Sequence, residues 1–543
     1  MNRPLKGLLP WAAACAVALP VFLLPLYNPD LFWHLSAGRW IAAHAAVPSA
    51  DFLSFTKRGA PWLDFEWGSE LLFYGAYAGG GLAGLWALKS ALMLLCWLAF
   101  DRCLRVDGVA PGLRASALLL WALAAFSWSD LRPELFSVLL FTVCLAGLEA
   151  MRADLWKPSW RSWLGAAALF ALWSDLHAGF PLALAGAALY AAGELIAGRW
   201  RPARRMAGLG AAAACGSLLN PYGAGPYAVA LLHLREGAEL SRDIAEWRPL
   251  NLANPAYWPV YGLMVLAVLA LGALVVRARR EGLRRALPWG LILLAVFLGL
   301  GAWRHERLAA FFGVVAVLLA ALAARAIGRP RALLAAVWIS GLAYAGWLAP
   351  RLYLAGPFND KDVPVRAAEF VACHGTALTP LRLFNDWGWG GYLGWRLGPS
   401  RPVFTDGRYI FQDILAQEAA ATRSPRAWES FLSRYALTGA LVGNRAVTFP
   451  ATRRYPDGST RTFQRPWYLE YFPRRSWALV YWDDKALLFV ERSAVAPSWL
   501  AAHEYRWLLP RDRAAFEDAR SRGEIPAGAF AAERRRHDEE SRL

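Results

Sequence analysis

The chain has 543 residues, 57% of them hydrophobic and 18% charged, with 29 Trp, and is too apolar for an ordinary soluble protein of this length. Its formal net charge of +17 comes from Arg gathered in short clusters between apolar runs, a topology signal that argues against nucleic-acid binding. Six cysteines without CxxC spacing give neither a disulfide framework nor a zinc site.

In chain order, MNRPLK leads into WAAACAVALPVFLLPLY. This segment lacks a small-x-small cleavage site before NPD and more apolar runs follow, so a retained first helix is expected. A bilayer core takes roughly 20 apolar residues per helix, and on that measure about eleven spans are expected. They fall near residues 7–27, 82–100, 113–128, 135–151, 162–174, 180–197, 206–219, 258–276, 286–303, 308–324 and 332–350. The stretch 69–79 reads as an interfacial helix ended by Gly79, Gly80 and Gly81, which act here as a breaker and not as a phosphate loop.

Alternate connections carry Arg102, Arg105 and Arg114; Arg152, Lys157 and Arg161; Arg199, Arg201, Arg204 and Arg205; Arg277, Arg279, Arg280, Arg284 and Arg285; and Arg325, Arg329 and Arg331. With Arg3 and Lys6 they mark the cytoplasmic side, which places the N-terminus inside and the C-terminal part outside. The opposite connections read NPDLFWH, DFLSFTKRGAPWLDFEWGSE, SDLRPE, SDLHAG, NPYG with DIAEWRP, and WRHER, so Asp, Glu, His, Asn and Trp gather on the outer face.

No apolar span follows Pro350. Residues 356–530 are expected to form an extracytoplasmic mixed α/β domain, with strands at RPVFTDGRY, YALTGALVGN, WALVYWDD and ALLFVER and helix within DILAQEAAATRSPRAWESFLSRY. Residues 531–543, AAERRRHDEESRL, lack apolar content and are expected to be a disordered tail. The fold class is thus a polytopic α-helical membrane domain over 1–352, with a first external loop at 28–69, followed by the α/β domain.

Asp30 follows the first span directly after Asn28 and Pro29. Pro29 ends the helix and Asn28 suits a cap or turn. LFWHLSAGRWIAAH then has the apolar spacing of a helix lying in the interface. Carboxylates this near a bilayer persist most readily where they line a wet cavity.

NPDLFWHLSAGRWI, WLDFEWGSELLFYGAYAGGGLAGL and FNDWGWGGYLGWRLGPSRPVFTDGRYIF together resemble an uncharacterised bacterial family of GT-C membrane glycosyltransferases, over nearly the whole chain. Asp386, Trp387 and Gly388 are also similar to the Trp-Trp-Asp-Tyr-Gly signature of oligosaccharyltransferase catalytic subunits, with Asn385 and Trp387 as departures. The first loop departs from the family's acidic pair, since Asn28 stands where an Asp is commoner.

The resemblance implies a multi-pass enzyme of the bacterial cytoplasmic membrane that moves a sugar from a polyprenyl-phosphate donor to an extracytoplasmic glycan, lipid or protein. Such transfer needs a base for the acceptor hydroxyl and positive charge for the departing phosphate. Asp30 is the candidate base, with helix capping as the alternative. Arg304, Arg307, Arg132 and Lys89 are candidates for the donor phosphate, with snorkelling as their alternative. His34, Asp64, Glu66, His305, Asp386 and Trp387 are expected at the cavity or acceptor side. Asp130, Glu134, Asp175 and His177 are candidate ligands for Mg2+ or Mn2+. Expected partners are the lipid-linked donor, the acceptor and membrane lipids, and not nucleic acid. Two rival functions are an oligosaccharyltransferase or ligase using a polyprenyl-pyrophosphate glycan, and a non-catalytic scaffold or transporter.

Overall fold

The computed structural model describes residues 3–232, 248–281, 287–328, 331–353 and 357–540. Arg284, Arg285, Arg329 and residues 243–247 of the expected outer connection lie outside the described residues. The chain forms two compact units. One holds Met1–Asn28, Ile41–Val47 and Leu63–Asn359; the other holds Pro29–Trp40, Pro48–Trp62 and Asp360–Leu543. The expected boundary near residue 352 is therefore incomplete, because much of the first external loop belongs with the C-terminal part.

The first unit is helical. Every apolar stretch anticipated as a span lies on a helix, from Arg3–Phe22 through Glu134–Arg152 and Phe180–Ile196 to Arg331–Tyr353. Among the described residues, four helices are long and apolar enough to cross a membrane: Trp67–Val106, Glu134–Arg152, Pro255–Arg279 and Glu306–Ile327. They leave apolar side chains exposed, as at Val268 (71%) and Leu269 (64%), which suits a multi-pass membrane protein whose outer surface meets lipid. The helix Trp67–Val106 absorbs the anticipated interfacial segment and bends at Gly81, whose φ of 59° and ψ of −145° only glycine adopts readily. Phe180–Ile196 and Trp289–Arg304 meet at Gly193 and Gly290, where a Cβ on either residue would collide with the opposing backbone.

Several basic residues of the Arg clusters are tied to acids inside this unit. Arg105 and Arg114 bind Asp101 at 2.6 and 2.8 Å, and Arg152 binds both Asp107 and Glu149 at 2.5 Å. Burial and the neighbouring Glu149 carboxylate raise the Asp107 carboxyl above the usual carboxylate range, against the opposing pull of Arg152.

The second unit carries a mixed sheet in the order β1-β2-β6-β5. Strand β1 (Leu383–Asn385) runs parallel to β2 (Gly439–Gly443); β2 pairs antiparallel with β6 (Ala486–Glu491), and β6 with β5 (Trp477–Trp482). A separate hairpin joins β3 (Thr448–Arg454) to β4 (Thr460–Pro466). The core is aromatic, with Phe384, Phe404, Trp428, Phe431, Phe472 and Phe489 all buried.

Two expectations for this unit are corrected. RPVFTDGRY is a loop with a single bridge, Ser54 to Val403, because side chains replace the sheet ladder. Asn385 Oδ1 accepts the Phe404 amide at 2.9 Å, and Asn385 Nδ2 donates to the Thr405 carbonyl at 2.9 Å. The tail expected to be disordered is helical over Ala527–Glu540. Glu533 accepts the amides of Arg506, Trp507 and Leu508, Glu540 accepts from the Tyr505 hydroxyl, and His537 stacks on Trp482 at 3.8 Å. Polar anchoring thus orders a segment that has too few apolar groups to pack by itself.

Candidate active site

Asp30 opens the helix Leu31–His44. Its carbonyl accepts the amides of Trp33 and His34 at 3.1 and 3.3 Å. That carboxylate lies against the backbone of Gly407, where a Cβ would overlap Asp30 Oδ1 by roughly 1 Å. The same Cβ would come within 3.0 Å of Trp33 Nε1, an N–H without a hydrogen-bond partner among the described residues. Trp33 stacks on the buried His34 with ring centroids 3.6 Å apart. A methyl on Gly391 would meet the Pro29 carbonyl at 3.1 Å and the Trp33 amide at 3.2 Å, and one on Gly390 would collide with the Thr405 carbonyl. Residues of DWGWGGYLGW and FTDGRY, far away in sequence, thus pack against NPDLFWH through glycine contacts, Gly407 at Asp30 itself and Gly391 at Pro29 and Trp33.

A buried ion triad fixes the loop that carries Gly407. The Arg408 guanidinium donates to Asp406 through Nε at 2.8 Å and Nη2 at 2.7 Å, and to Asp51 at 2.6 Å. Asp51, Asp406 and Arg408 are 3%, 1% and 2% exposed. Asp51 also accepts the amides of Leu53 and Ser54 and the Ser54 hydroxyl, and Arg408 lies 4.5 Å over the Trp62 ring. Burial alone would disfavour the guanidinium charge, but the two carboxylates reverse that and hold it protonated. Reading the sequence missed these three residues. The available signals were the Asp-Gly turn dipeptide ahead of Arg408 and the Asp51-x-x-Ser54 pattern, which makes a local side-chain turn.

Asp386 directs its carboxylate elsewhere. Oδ2 accepts the Gly443 amide and Arg445 Nη2, each at 3.1 Å. Burial raises its carboxyl above the usual range and Arg445 opposes that rise. The Trp387 indole N–H is buried with no hydrogen-bond partner among the described residues.

In the helical unit the anticipated residues fall into two groups. Lys89 is fully buried and donates to the Leu24 carbonyl, while Asp130 accepts the Asn28 amide at 2.5 Å and those of Tyr27 and Leu131 at 3.0 and 2.7 Å. Burial raises the Asp130 carboxyl, opposed first by the Lys89 charge and then by the three amides. This pair fixes the chain immediately ahead of Asp30. Lys89, anticipated as a phosphate ligand, is committed to that anchoring.

The second group centres on His177. Its Nδ1 accepts the Gly179 amide at 3.1 Å and lies 2.7 Å from the Ser137 hydroxyl, so in the neutral ring the proton sits on Nε2, which is 3.6 Å from Glu66 Oε1. Burial, and then the positive charges of Arg307 and Arg132, hold the imidazole well below its ordinary pKa. Arg132, Arg307 and Glu66 thus each act on His177. Arg304 ends its helix exposed, and His305 caps that helix with its amide on the Gly301 carbonyl. Asp64 is buried, and its amide donates to the Tyr222 hydroxyl at 3.2 Å.

Among the described residues no three His, Cys, Asp or Glu side chains are grouped to hold a metal ion. Asp130 serves backbone amides, Asp175 accepts the Trp67 indole at 3.0 Å, His177 faces Ser137 and Gly179, and Glu134 stands in the first turn of its helix. The four anticipated ligands therefore do not fit a common ion.

No family model and no curated protein matches the chain. Among solved structures it is similar to ArnT from Cupriavidus metallidurans in the apo state, with a TM-score of 0.47 and 15% identity over 90% of this chain and 98% of that one. It is also similar to the arabinofuranosyltransferase AftD from Mycobacteria, with a TM-score of 0.48 and 16% identity over 88% of this chain and 39% of that one. A third similar structure is ArnT from Cupriavidus metallidurans bound to undecaprenyl phosphate, with a TM-score of 0.37 and 13% identity over 90% and 99% of the two chains.

Proposed function

We propose that the protein is a GT-C membrane glycosyltransferase that moves a sugar from a polyprenyl-phosphate carrier to an acceptor outside the cytoplasm. The observation that carries this reading is the packing of Gly407 against the Asp30 carboxylate and of Gly391 against Pro29 and Trp33, which brings together two of the three stretches that resemble the GT-C family. The N-terminus lies in the cytoplasm, about eleven helices span the membrane, and the sheet-bearing unit is extracytoplasmic, as the Arg asymmetry and the apolar runs of the sequence support.

In the proposed reaction Asp30 takes the proton of the acceptor hydroxyl while that oxygen bonds to the anomeric carbon. The bond from the anomeric carbon to the phosphate oxygen breaks, its electron pair stays on the phosphate, and the polyprenyl phosphate leaves. The charge on that phosphate needs positive groups to meet it, and one displacement inverts the anomeric centre. No step is assigned to a metal ion.

Reconstitution of the purified protein with radiolabelled polyprenyl-phosphate sugars and candidate acceptors tests the reading. Transfer with release of polyprenyl monophosphate is expected. Turnover only with a polyprenyl-pyrophosphate glycan would replace it with the ligase reading, and no turnover with any lipid-linked donor would contradict it.

A further inference from the structure

We propose that Gly407 is a positioning residue that sets the place of the Asp30 carboxylate, and that the Asp51–Arg408–Asp406 triad is the clamp that holds Gly407 there; this rests on Asp30 being the base. Gly407 is not among the glycines with positive φ, so its backbone conformation is open to alanine and does not explain the missing side chain. What excludes a side chain is the space: the first atom met is Asp30 Oδ1 and the second is Trp33 Nε1. Both are outer atoms of side chains, so a methyl at 407 displaces the carboxylate and leaves the main chain where it is.

The loop cannot retreat to make room. Gly390 is packed against the Thr405 carbonyl on one side, and on the other the Arg408 fork is bound to Asp406 and Asp51 with all three groups buried. The clamp joins residues 357 positions apart, so it fixes the two halves of this unit's chain to each other at the point where the carboxylate rests. A planar guanidinium fills this role by its geometry as well as its charge, since it binds one carboxylate with two nitrogens and a second carboxylate at the same time.

Moving a reacting group by about 1 Å costs on the order of 100-fold in rate. The full-length reconstituted protein carrying Gly407→Ala is therefore expected to keep its melting temperature and its KM for the lipid-linked donor while kcat falls about 100-fold. Arg408→Lys keeps the charge but loses the fork, and a smaller kcat loss at unchanged donor KM is expected. A kcat within about threefold of wild type for folded Gly407→Ala overturns the proposal. If that variant does not fold, Arg408→Lys decides: wild-type kcat in the folded protein, or a loss confined to stability, also overturns it. Asp30→Asn measured alongside separates the two ideas, because an active Asp30→Asn ends the base assignment itself, whereas an inactive one beside a fully active Gly407→Ala ends only the positioning role.

Discussion

In the helical unit, Val265, Val268 and Leu269 of the helix Trp258–Glu281 stand exposed, while Lys89, Asp130 and Glu149 are buried. In the sheet-bearing unit, β5 (WALVYW) and β6 (ALLFVE) are buried except for their last residues, and the hairpin β3–β4 shows mostly polar side chains to the surroundings. The first unit places its apolar groups as a protein in lipid does, and the second as a protein in water does. Both nevertheless bury charge to hold main chain: Asp130 binds the amides of Tyr27 and Asn28 in the first, and the Arg408 triad fixes the loop around Gly407 in the second.

That shared use of buried charge sets large effects in both units. Arg408→Ala leaves two buried carboxylates without their cation and is expected to cost about 3–5 kcal/mol in thermal or denaturant unfolding; Lys89→Ala removes the buried donor to the Leu24 carbonyl and is expected to cost about 1–3 kcal/mol. A silent Lys89→Ala would break the parallel and return Lys89 to the pool of donor-binding candidates. The lipid-like surface of the helical unit sets the next effect. Val268→Asp is expected to cost about 2.5–3.5 kcal/mol of membrane insertion if residue 268 lies near the bilayer centre, read by glycosylation-tag mapping.

Acid should separate the units further through His177. Its folded pKa lies below the unfolded value of about 6.5, so the unfolded chain binds a proton that the folded chain refuses. The stability it contributes is present above about pH 6.5 and falls as pH drops below that value, by up to about 1.4 kcal/mol per pH unit. His177→Gln should flatten this part of the stability profile. The smallest effect belongs to the Lys57–Asp413 pair at 2.7 Å, whose Asp side chain is 58% exposed: Lys57→Ala should change unfolding by about 0–1 kcal/mol.

The sequence carried the helical unit well because a lipid-facing helix must be apolar along its length, and each expected span lies on a helix. The Gly79–Gly81 break was legible too, since a positive φ at Gly81 is the conformation glycine permits. Strands β2, β5 and β6 were legible as short apolar runs. Strand β1, only three residues long, and the polar hairpin β3–β4 offered no alternation to read. RPVFTDGRY carried a strand-like run, yet Asn385 took up its backbone groups, and nothing local to residues 401–409 signals that. Asp30 stands out as a candidate in the sequence by its place directly after an apolar helix, and its role as base is a proposal. Its supports, Asp51 and Arg408, were not legible, because they meet only through a contact spanning 357 residues. The charged tail misled for a related reason, since its order comes from amides of residues 506–508 and not from its own composition.

The base assignment to Asp30 is tested most directly by single-turnover transfer from a radiolabelled polyprenyl-phosphate sugar in proteoliposomes, comparing wild type with Asp30→Asn at matched donor occupancy. A rate lower by about 10²–10⁴-fold with donor binding intact is the expected result. Equal single-turnover rates in the two proteins would contradict it.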